Sequence, residues 1–217
     1  MVKRPDAYTL IENGWTVRVQ APIEMHSQRV IFLLHGWTGN ETVMSIFGKQ
    51  VAADYWLISP RGPVQAQPNG FGWLPAGSSV WASFRDYSEV THELDVQVQH
   101  WLDILKITSE KFDLMGFSQG AAVSLCYLLQ YPDRIGRVAS LAGFLPEGAK
   151  ELLVPDRLSG KAVLIAHGTV DKAVPFRRAQ EAAAILSAAG AEVEFCQDEV
   201  GHKVGPTGYK KLRIFFA

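Results

Sequence analysis

The stretch FDLMGFSQG, residues 112–120, decides the fold. Its apolar first half predicts a buried strand, and the apolar run from Ala121 to Leu129 predicts a helix directly after it. The pattern Gly-x-Ser-x-Gly at 116–120 is typical of a sharp strand-to-helix turn, because a side chain at either glycine would collide with neighbouring backbone. Such a turn presents the hydroxyl of Ser118 at the strand end, with a helix N-terminus aimed at it. We therefore interpret Ser118 as a nucleophile, with an ordinary glycine-rich turn as the alternative.

Strand-length apolar runs alternate with helical patterns along the rest of the chain. Strands are predicted at 29–34, 55–59, 112–116, 136–142, 162–167 and 191–197, and helices at 41–53, 86–105, 118–131, 176–189 and the C-terminus. A hairpin at 8–20 precedes them, with Asn13-Gly14 in its turn. This order predicts an α/β fold: a doubly wound, mostly parallel sheet with an N-terminal antiparallel hairpin. No linker or repeat divides the chain, so we expect residues 1–217 to form one domain without a separate cap.

A serine hydroxyl needs a base that accepts its proton, and the base needs a carboxylate that orients it. In such sheets the chemistry lies beyond the carboxyl ends of the strands. Asp171 and His202 both follow predicted strands, in the chain order serine, acid, histidine. His167, the other histidine after the serine, is expected to be a structural turn residue. Asp198 and Glu199 are competing carboxylates close to His202.

The turn after the first parallel strand, Leu-His-Gly-Trp-Thr-Gly at 34–39, is the third element of this pattern. Acyl transfer develops a negatively charged oxygen, which two preorganised N–H donors stabilise. One donor is expected from the backbone of Gln119, the residue after the serine. The other is expected from this turn, where Trp37 is the candidate.

The stretch from 62 to 85 has no clear period, but it contains four aromatic residues: Phe71, Trp73, Trp81 and Phe84. A structureless connection of this length is usually functional or disordered, and the aromatic residues weigh against disorder. We expect Phe71, Trp73 and Trp81 to line the substrate pocket, with packing on the core as the alternative. Directly after it, Asp86 and Glu89 suggest a capping box at the start of the long helix.

The charge and the composition argue against several classes of function. The chain carries 21 Lys and Arg against 22 Asp and Glu, a net charge of −1, so neither nucleic-acid nor membrane-surface binding is expected. The apolar runs are too short for a membrane span, and no apolar leader segment opens the sequence. We therefore expect a cytoplasmic protein.

The sequence predicts neither a metal nor a cofactor. Cys126 and Cys196 form no CxxC pair, and His92 and His100 lack the spacing of a ligand set. No glycine-rich dinucleotide or triphosphate motif is present.

Several short motifs occur in a fixed order. They are Leu-His-Gly at 34–36, Pro-Arg at 60–61, Gly-Phe-Ser-Gln-Gly at 116–120, Leu-Ala-Gly-Phe-Leu-Pro at 141–146, His-Gly-x-x-Asp at 167–171 with Val-Pro at 174–175, and Gly-His at 201–202. From about residue 29 to residue 202 the chain resembles the phospholipase/carboxylesterase family of α/β hydrolases, which includes bacterial carboxylesterases and acyl-protein thioesterases. The resemblance implies Ser118, Asp171 and His202 as the catalytic triad. It also implies the N–H groups of Trp37 and Gln119 as the oxyanion hole.

Two positions depart from the family's pattern. Lys172 replaces the proline that usually follows the acid. The segment Trp-Ala-Ser-Phe at 81–84 stands where the family often has a tryptophan followed shortly by an aspartate. The family's substrate-pocket residues are therefore not carried over to this chain.

The sequence as a whole predicts a serine hydrolase that cleaves small-molecule carboxylic esters, or thioesters, through an acyl-enzyme. Another acyl-transfer activity of the same residues, such as a peptidase or a perhydrolase, is an alternative. A catalytically silent binding module is a second alternative, against which the complete set of candidate groups argues. The acyl chain, the alcohol and the oligomeric state are left open by the sequence.

Overall fold

The computed structural model describes residues 4–75 and 82–217. Its strands are β1 (Tyr8–Glu12), β2 (Trp15–Gln20), β3 (Arg29–Leu34), β4 (Tyr55–Pro60), β5 (Val64–Gln67), β6 (Gly70–Gly72), β7 (Phe112–Phe117), β8 (Ile135–Leu141), β9 (Ala162–Gly168) and β10 (Glu192–Asp198). Its α-helices are α1 (Ser45–Gly48), α2 (Phe84–Ile104), α3 (Gln119–Gln130), α4 (Phe176–Ala188) and α5 (Pro206–Phe215). Short 3-10 turns occur at Pro132–Arg134 and Lys150–Leu152.

Eight of these strands form one sheet, in the order β1-β2-β4-β3-β7-β8-β9-β10. The pairs from β4 through β3 to β10 are parallel, whereas β1 pairs antiparallel with β2, and β2 with β4. The predicted α/β class and the N-terminal antiparallel hairpin are confirmed. Within the described ranges, no separate cap covers the carboxyl edge of the sheet.

Helices cover both faces of the sheet. Apolar residues of α2, α3 and α4 form one core with one face, and apolar residues of α1 and α5 form a second core with the other. Residues 120–129 of α3 are all buried, which explains why that segment is apolar on every side. No helix in residues 4–75 and 82–217 is long and apolar enough to cross a membrane.

The predicted helix at 41–53 is wrong in extent. Only the single turn α1 is α-helical there, and the residues around it form tighter turns. The N–H groups of Gln50 and Val51 donate to the residues three positions before them, Phe47 and Gly48. Bonds of this type tighten the chain and do not continue an α-helix.

The stretch from 62 to 85 contains a small hairpin that the sequence did not predict. Strands β5 and β6 pair antiparallel as a separate two-stranded sheet. Its strands of four and three residues are too short for apolar alternation to be recognisable. The hairpin lies against the turn after β3, because the N–H of Phe71 donates to the carbonyl oxygen of Gly39 over 2.8 Å.

The capping box of α2 is formed by a different pair from the predicted Asp86 and Glu89. Ser83 is the N-cap, and its hydroxyl oxygen accepts a hydrogen bond from the N–H of Asp86. The carboxylate of Asp86 accepts from the N–H of Ser83 over 2.8 Å. Asp86 is therefore the third helical residue of the capping box, and Ser83 is its N-cap.

Removal of this cap should destabilise the protein measurably. We expect Ser83→Ala to lower the free energy of unfolding by about 1 kcal/mol, because an N–H of the first helical turn loses its acceptor. Denaturant titration followed by circular dichroism measures the change. Glu89→Ala is the matched control, since this residue belongs to no cap, and it should leave the unfolding midpoint within experimental error. A larger loss for Glu89→Ala than for Ser83→Ala would contradict the assignment.

Candidate active site

The candidate residues lie together because each follows a strand at the carboxyl edge of the sheet. Ser118 directly follows β7, and Trp37 lies three residues beyond β3. Asp171 and His202 lie three and four residues beyond β9 and β10. The carboxyl ends of parallel strands meet at one edge, so these segments converge there.

The turn at Ser118 has an unusual backbone conformation. Its φ is 53° and its ψ is −116°, a combination that a residue with a side chain rarely adopts. The flanking glycines make this conformation possible. A Cβ at Gly116 would lie 2.2 Å from the carbonyl oxygen of Gly120, and a Cβ at Gly120 would lie 2.1 Å from that of Leu34. The turn therefore holds the serine hydroxyl outside the regular helix that begins at Gln119.

A continuous chain of hydrogen bonds joins Ser118, His202 and Asp171. The distance from Ser118 Oγ to His202 Nε2 is 2.9 Å, and the distance from His202 Nδ1 to Asp171 Oδ2 is 2.7 Å. In the neutral tautomer that fits both contacts, Nδ1–H donates to the carboxylate and Nε2 accepts from the serine hydroxyl. The His202 ring also packs against the ring of Phe117, with 5.1 Å between their centroids.

Asp171 is held rigidly by its own loop. Its side chain is completely buried. Oδ1 accepts hydrogen bonds from the N–H groups of Ala173 and Val174, over 2.8 and 2.9 Å. These bonds leave Oδ2 directed at His202, so the carboxylate fixes the orientation of the imidazole.

The residues that the sequence offers as alternatives to His202 and Asp171 do not join this chain of hydrogen bonds. The His167 side chain is buried, and its Nε2–H donates to the carbonyl oxygen of Val174 over 2.9 Å. Burial lowers the pKa of His167 and keeps it neutral. The Asp198 carboxylate accepts from the N–H groups at the start of α5, and Glu199 is exposed.

The turn after β3 is held by His35, which is completely buried. Its Nε2 accepts from the N–H of Gly62 over 2.8 Å, so its Nδ1–H donates to the carbonyl oxygen of Gly36 over 2.7 Å. Burial lowers the pKa of His35, which keeps this donor and acceptor pattern. Within residues 4–75 and 82–217, the N–H groups of Trp37 and Gln119 donate to no protein acceptor.

A cavity of about 420 Å³ opens at Ser118. The described residues that line it are Gly36, Trp37, Leu74, Pro75, Tyr87, Phe117, Ser118, Gln119, Phe144, Ala173, Val174 and His202. Most of this wall is apolar, and burial raises the pKa of Tyr87, so its hydroxyl stays protonated. The volume lies within the usual range of small-molecule sites. The cavity can take an uncharged apolar group beside Ser118.

The structure places neither Phe71 nor Trp73 on the wall of this cavity. The Phe71 ring packs under the guanidinium of Arg61, which is 4.5 Å from the ring centroid. Trp73 has only 1% of its surface exposed and belongs to the main core. Trp81 lies outside the described residues. Trp73 therefore packs on the core, as the alternative interpretation of the sequence expected, whereas Phe71 is half-buried against Arg61.

Several cavity residues were not singled out as pocket residues from the sequence. Tyr87 lies one turn before Val90 on the buried face of α2, so its spacing is that of an ordinary core residue. Leu74 and Pro75 follow β6, which the sequence did not predict. Phe144 was visible only as part of the motif at 141–146. No group of three or more His, Cys, Asp or Glu in the described ranges is placed to hold a metal ion.

Known proteins with similar sequences include a probable carboxylesterase and an acyl-protein thioesterase homolog. The chain is 35% identical over 103 residues to a probable carboxylesterase of Oryza sativa subsp. japonica, a match that covers 45% of this chain and 38% of that protein. The chain thus matches well under half the length of this relative. It is 29% identical over 180 residues to acyl-protein thioesterase 1 homolog 1 of Dictyostelium discoideum, covering 76% of this chain and 77% of that protein.

Solved structures share the fold. The crystal structure of the Bacillus cereus carboxylesterase superposes with a TM-score of 0.83 at 22% identity, over 94% of both chains. The model of the family described as Phospholipase/Carboxylesterase matches residues 16–217, nearly the whole chain. The protein therefore belongs to the phospholipase/carboxylesterase family of α/β hydrolases.

Proposed function

We propose that this protein is a serine esterase that hydrolyses carboxylic esters with apolar acyl groups. The observation that carries the proposal is the hydrogen-bond chain from Ser118 Oγ through His202 to Asp171, located at the mouth of an apolar cavity. This arrangement supplies a nucleophile, a base and an orienting carboxylate beside a space for the substrate.

In the first half of the reaction, Ser118 Oγ attacks the ester carbonyl carbon while His202 Nε2 takes the hydroxyl proton. The carbonyl oxygen becomes negatively charged in the tetrahedral intermediate. As the intermediate collapses, His202 returns the proton to the leaving alcohol, and the acyl group remains on Ser118. Water then attacks the acyl carbon while His202 Nε2 takes a proton from it. The bond from the acyl carbon to Ser118 Oγ breaks, Oγ takes the proton back from His202, and the carboxylic acid leaves.

Asp171 keeps His202 in the tautomer that this cycle needs. Because its carboxylate accepts from Nδ1–H, the unprotonated Nε2 faces the serine. When His202 takes up the proton, the buried carboxylate is 2.7 Å from the positive charge and stabilises it.

The negatively charged oxygen is stabilised by the backbone N–H groups of Trp37 and Gln119. Both residues line the cavity beside Ser118, and neither N–H has a protein acceptor in the described part of the chain. Donors that are already fixed in place cost no reorganisation during the reaction. Gln119 also begins α3, so the positive end of the helix dipole adds to the effect.

The cavity wall indicates the type of acyl group. Leu74, Phe144 and Val174 present apolar surface to the space beside Ser118. No Asp, Glu, Lys or Arg lines the cavity within residues 4–75 and 82–217, which favours an uncharged aliphatic acyl group. Thioesters of the same acids fit the same mechanism, and the relative from Dictyostelium discoideum is named a thioesterase.

Removal of any of the three hydrogen-bonded side chains should abolish most of the turnover. We expect Ser118→Ala, His202→Ala and Asp171→Asn each to lower kcat on p-nitrophenyl butyrate by about 10⁴- to 10⁶-fold, with non-additive combinations, because such residues act as a unit. Glu199→Gln is the control for Asp171→Asn, since Glu199 is an exposed carboxylate near His202, and its kcat should stay near that of the wild type.

A fluorophosphonate probe separates an active hydrolase from a silent binding module. The wild type should be labelled at Ser118, and Ser118→Ala should not be labelled. Wild-type protein that remains unlabelled, or an Asp171→Asn variant that keeps full activity, would contradict the proposed mechanism.

Narrowing the cavity should change the acyl preference. Ala173 lines the cavity but is exposed, so Ala173→Leu adds bulk to the wall at little cost in stability. We expect kcat/KM for an octanoyl ester to fall at least about 10-fold more than for an acetyl ester, since a few methylene groups are worth this much in a pocket. A series of p-nitrophenyl esters from two to sixteen carbons, beside a matched thioester, measures the change. Ala188→Leu, an equally exposed change at the end of α4, is the control and should leave the profile unchanged. Equal losses on both esters would place the acyl chain elsewhere.

A further inference from the structure

Trp73 connects the two segments that carry the proposed oxyanion donors. Its indole Nε1–H donates to the carbonyl oxygen of His35 over 2.7 Å. Its backbone N–H donates to the side-chain Oε1 of Gln119 over 3.0 Å. The residue directly follows β6, and only 1% of its surface is exposed, so its indole bond to His35 is buried.

The hydrogen bond from the Trp73 indole to His35 influences the direction of the Trp37 N–H. The indole of Trp73 fixes the His35 carbonyl group and packs beside the His35 ring, with 5.2 Å between the ring centroids. The His35 ring in turn holds the carbonyl oxygen of Gly36. That carbonyl and the Trp37 N–H belong to the same planar, trans peptide unit, so they point in opposite directions. Fixing the Gly36 carbonyl therefore fixes the direction of the Trp37 N–H.

The hydrogen bond from the Trp73 backbone N–H holds the side chain of Gln119, the residue that begins α3. The Oε1 atom of Gln119 accepts a hydrogen bond from the backbone N–H of Trp73. This bond ties the terminal amide of Gln119 to the segment that follows β6. Trp73 thus fixes Gln119 from outside the helix.

We propose that Trp73 is a positioning residue that sets the distance between the N–H groups of Trp37 and Gln119. The inference rests on the proposed function, because it concerns the oxyanion hole of that same site. An oxyanion hole stabilises the transition state only if its donors are held close to the productive geometry. Trp73 touches neither the substrate cavity nor the reacting atoms, so its loss acts on the transition state and leaves substrate binding in place.

The test is Trp73→Phe, which keeps an aromatic ring and the backbone N–H but removes the indole N–H. Since loss of a whole oxyanion donor costs about 10²- to 10³-fold in kcat, we expect loss of its positioning bond to lower kcat by about 10- to 10²-fold. KM should stay within about twofold of the wild-type value, as expected for an interaction that matters only in the transition state. Steady-state kinetics on p-nitrophenyl butyrate measures both.

Trp101→Phe is the matched control. Trp101 is fully buried in the same core as Trp73, and its indole Nε1 has no hydrogen-bond partner among the residues that the structure describes. The same substitution there makes a similar cavity but breaks no bond to the site. Trp101→Phe should therefore lower the melting temperature and leave kcat unchanged.

A second measurement uses a trifluoromethyl ketone, which forms a tetrahedral adduct with the serine and carries a negative oxygen. Trp73→Phe should weaken this inhibitor by the same factor as it lowers kcat/KM, and should leave the binding of the unreactive amide analogue unchanged. The inference would be overturned if Trp73→Phe kept the kcat of the wild type. It would also be overturned if Trp73→Phe and Trp101→Phe lowered kcat by the same factor. Retained activity in Ser118→Ala, or wild-type protein that the fluorophosphonate leaves unlabelled, would overturn the proposed function as well, so the two failures are distinguishable.

Discussion

The close contact between the turn at Ser118 and the end of β3 is the constraint on which the site depends. The backbone of Gly120 approaches the carbonyl oxygen of Leu34 so closely that no Cβ fits between them. This contact packs the start of α3 against the end of β3, which leads into the turn that His35 holds. It also leaves Ser118 in a strained conformation, which neighbouring bonds maintain, among them the one from its N–H to the carbonyl oxygen of Leu141. Ser118 and the candidate oxyanion turn are therefore positioned by one packing contact.

Asp171 and His202 meet for a related reason. Beyond their last paired residues, the chains that follow β9 and β10 continue side by side. The N–H of Thr169 donates to the carbonyl oxygen of Asp198 over 2.9 Å, and the N–H of Val170 donates to that of Val200 over 3.3 Å. The parallel pairing thus extends into the two loops and carries Asp171 to within 2.7 Å of His202. Asp198, at the end of β10 itself, accepts from the backbone at the start of α5 and is used as a cap.

The sequence predicted those parts of the site that follow from strand order. Ser118, Asp171 and His202 could be located because each follows a strand, and the structure places their side chains within hydrogen-bonding distance. The cavity wall could not be predicted in the same way. Tyr87 has the spacing of a core residue, and only the tertiary packing of α2 turns it toward the site. The role of Trp73 was hidden because it depends on a short hairpin without any recognisable period.

The histidines around the site differ in how deeply they are buried: the His167 side chain is fully buried, and that of His202 is 28% exposed. Burial lowers the pKa of both His35 and His167. The Asp171 carboxylate is the hydrogen-bond partner of His202. His167 Nε2 lies 3.5 Å from the same Asp171 oxygen. A positive charge on His167 would compete with His202 for that carboxylate. Because His167 stays neutral, the full charge of Asp171 is available to the imidazolium of His202 in the proposed reaction. The buried histidine therefore contributes by remaining uncharged, and its position in the core, next to Phe176, ensures that it does.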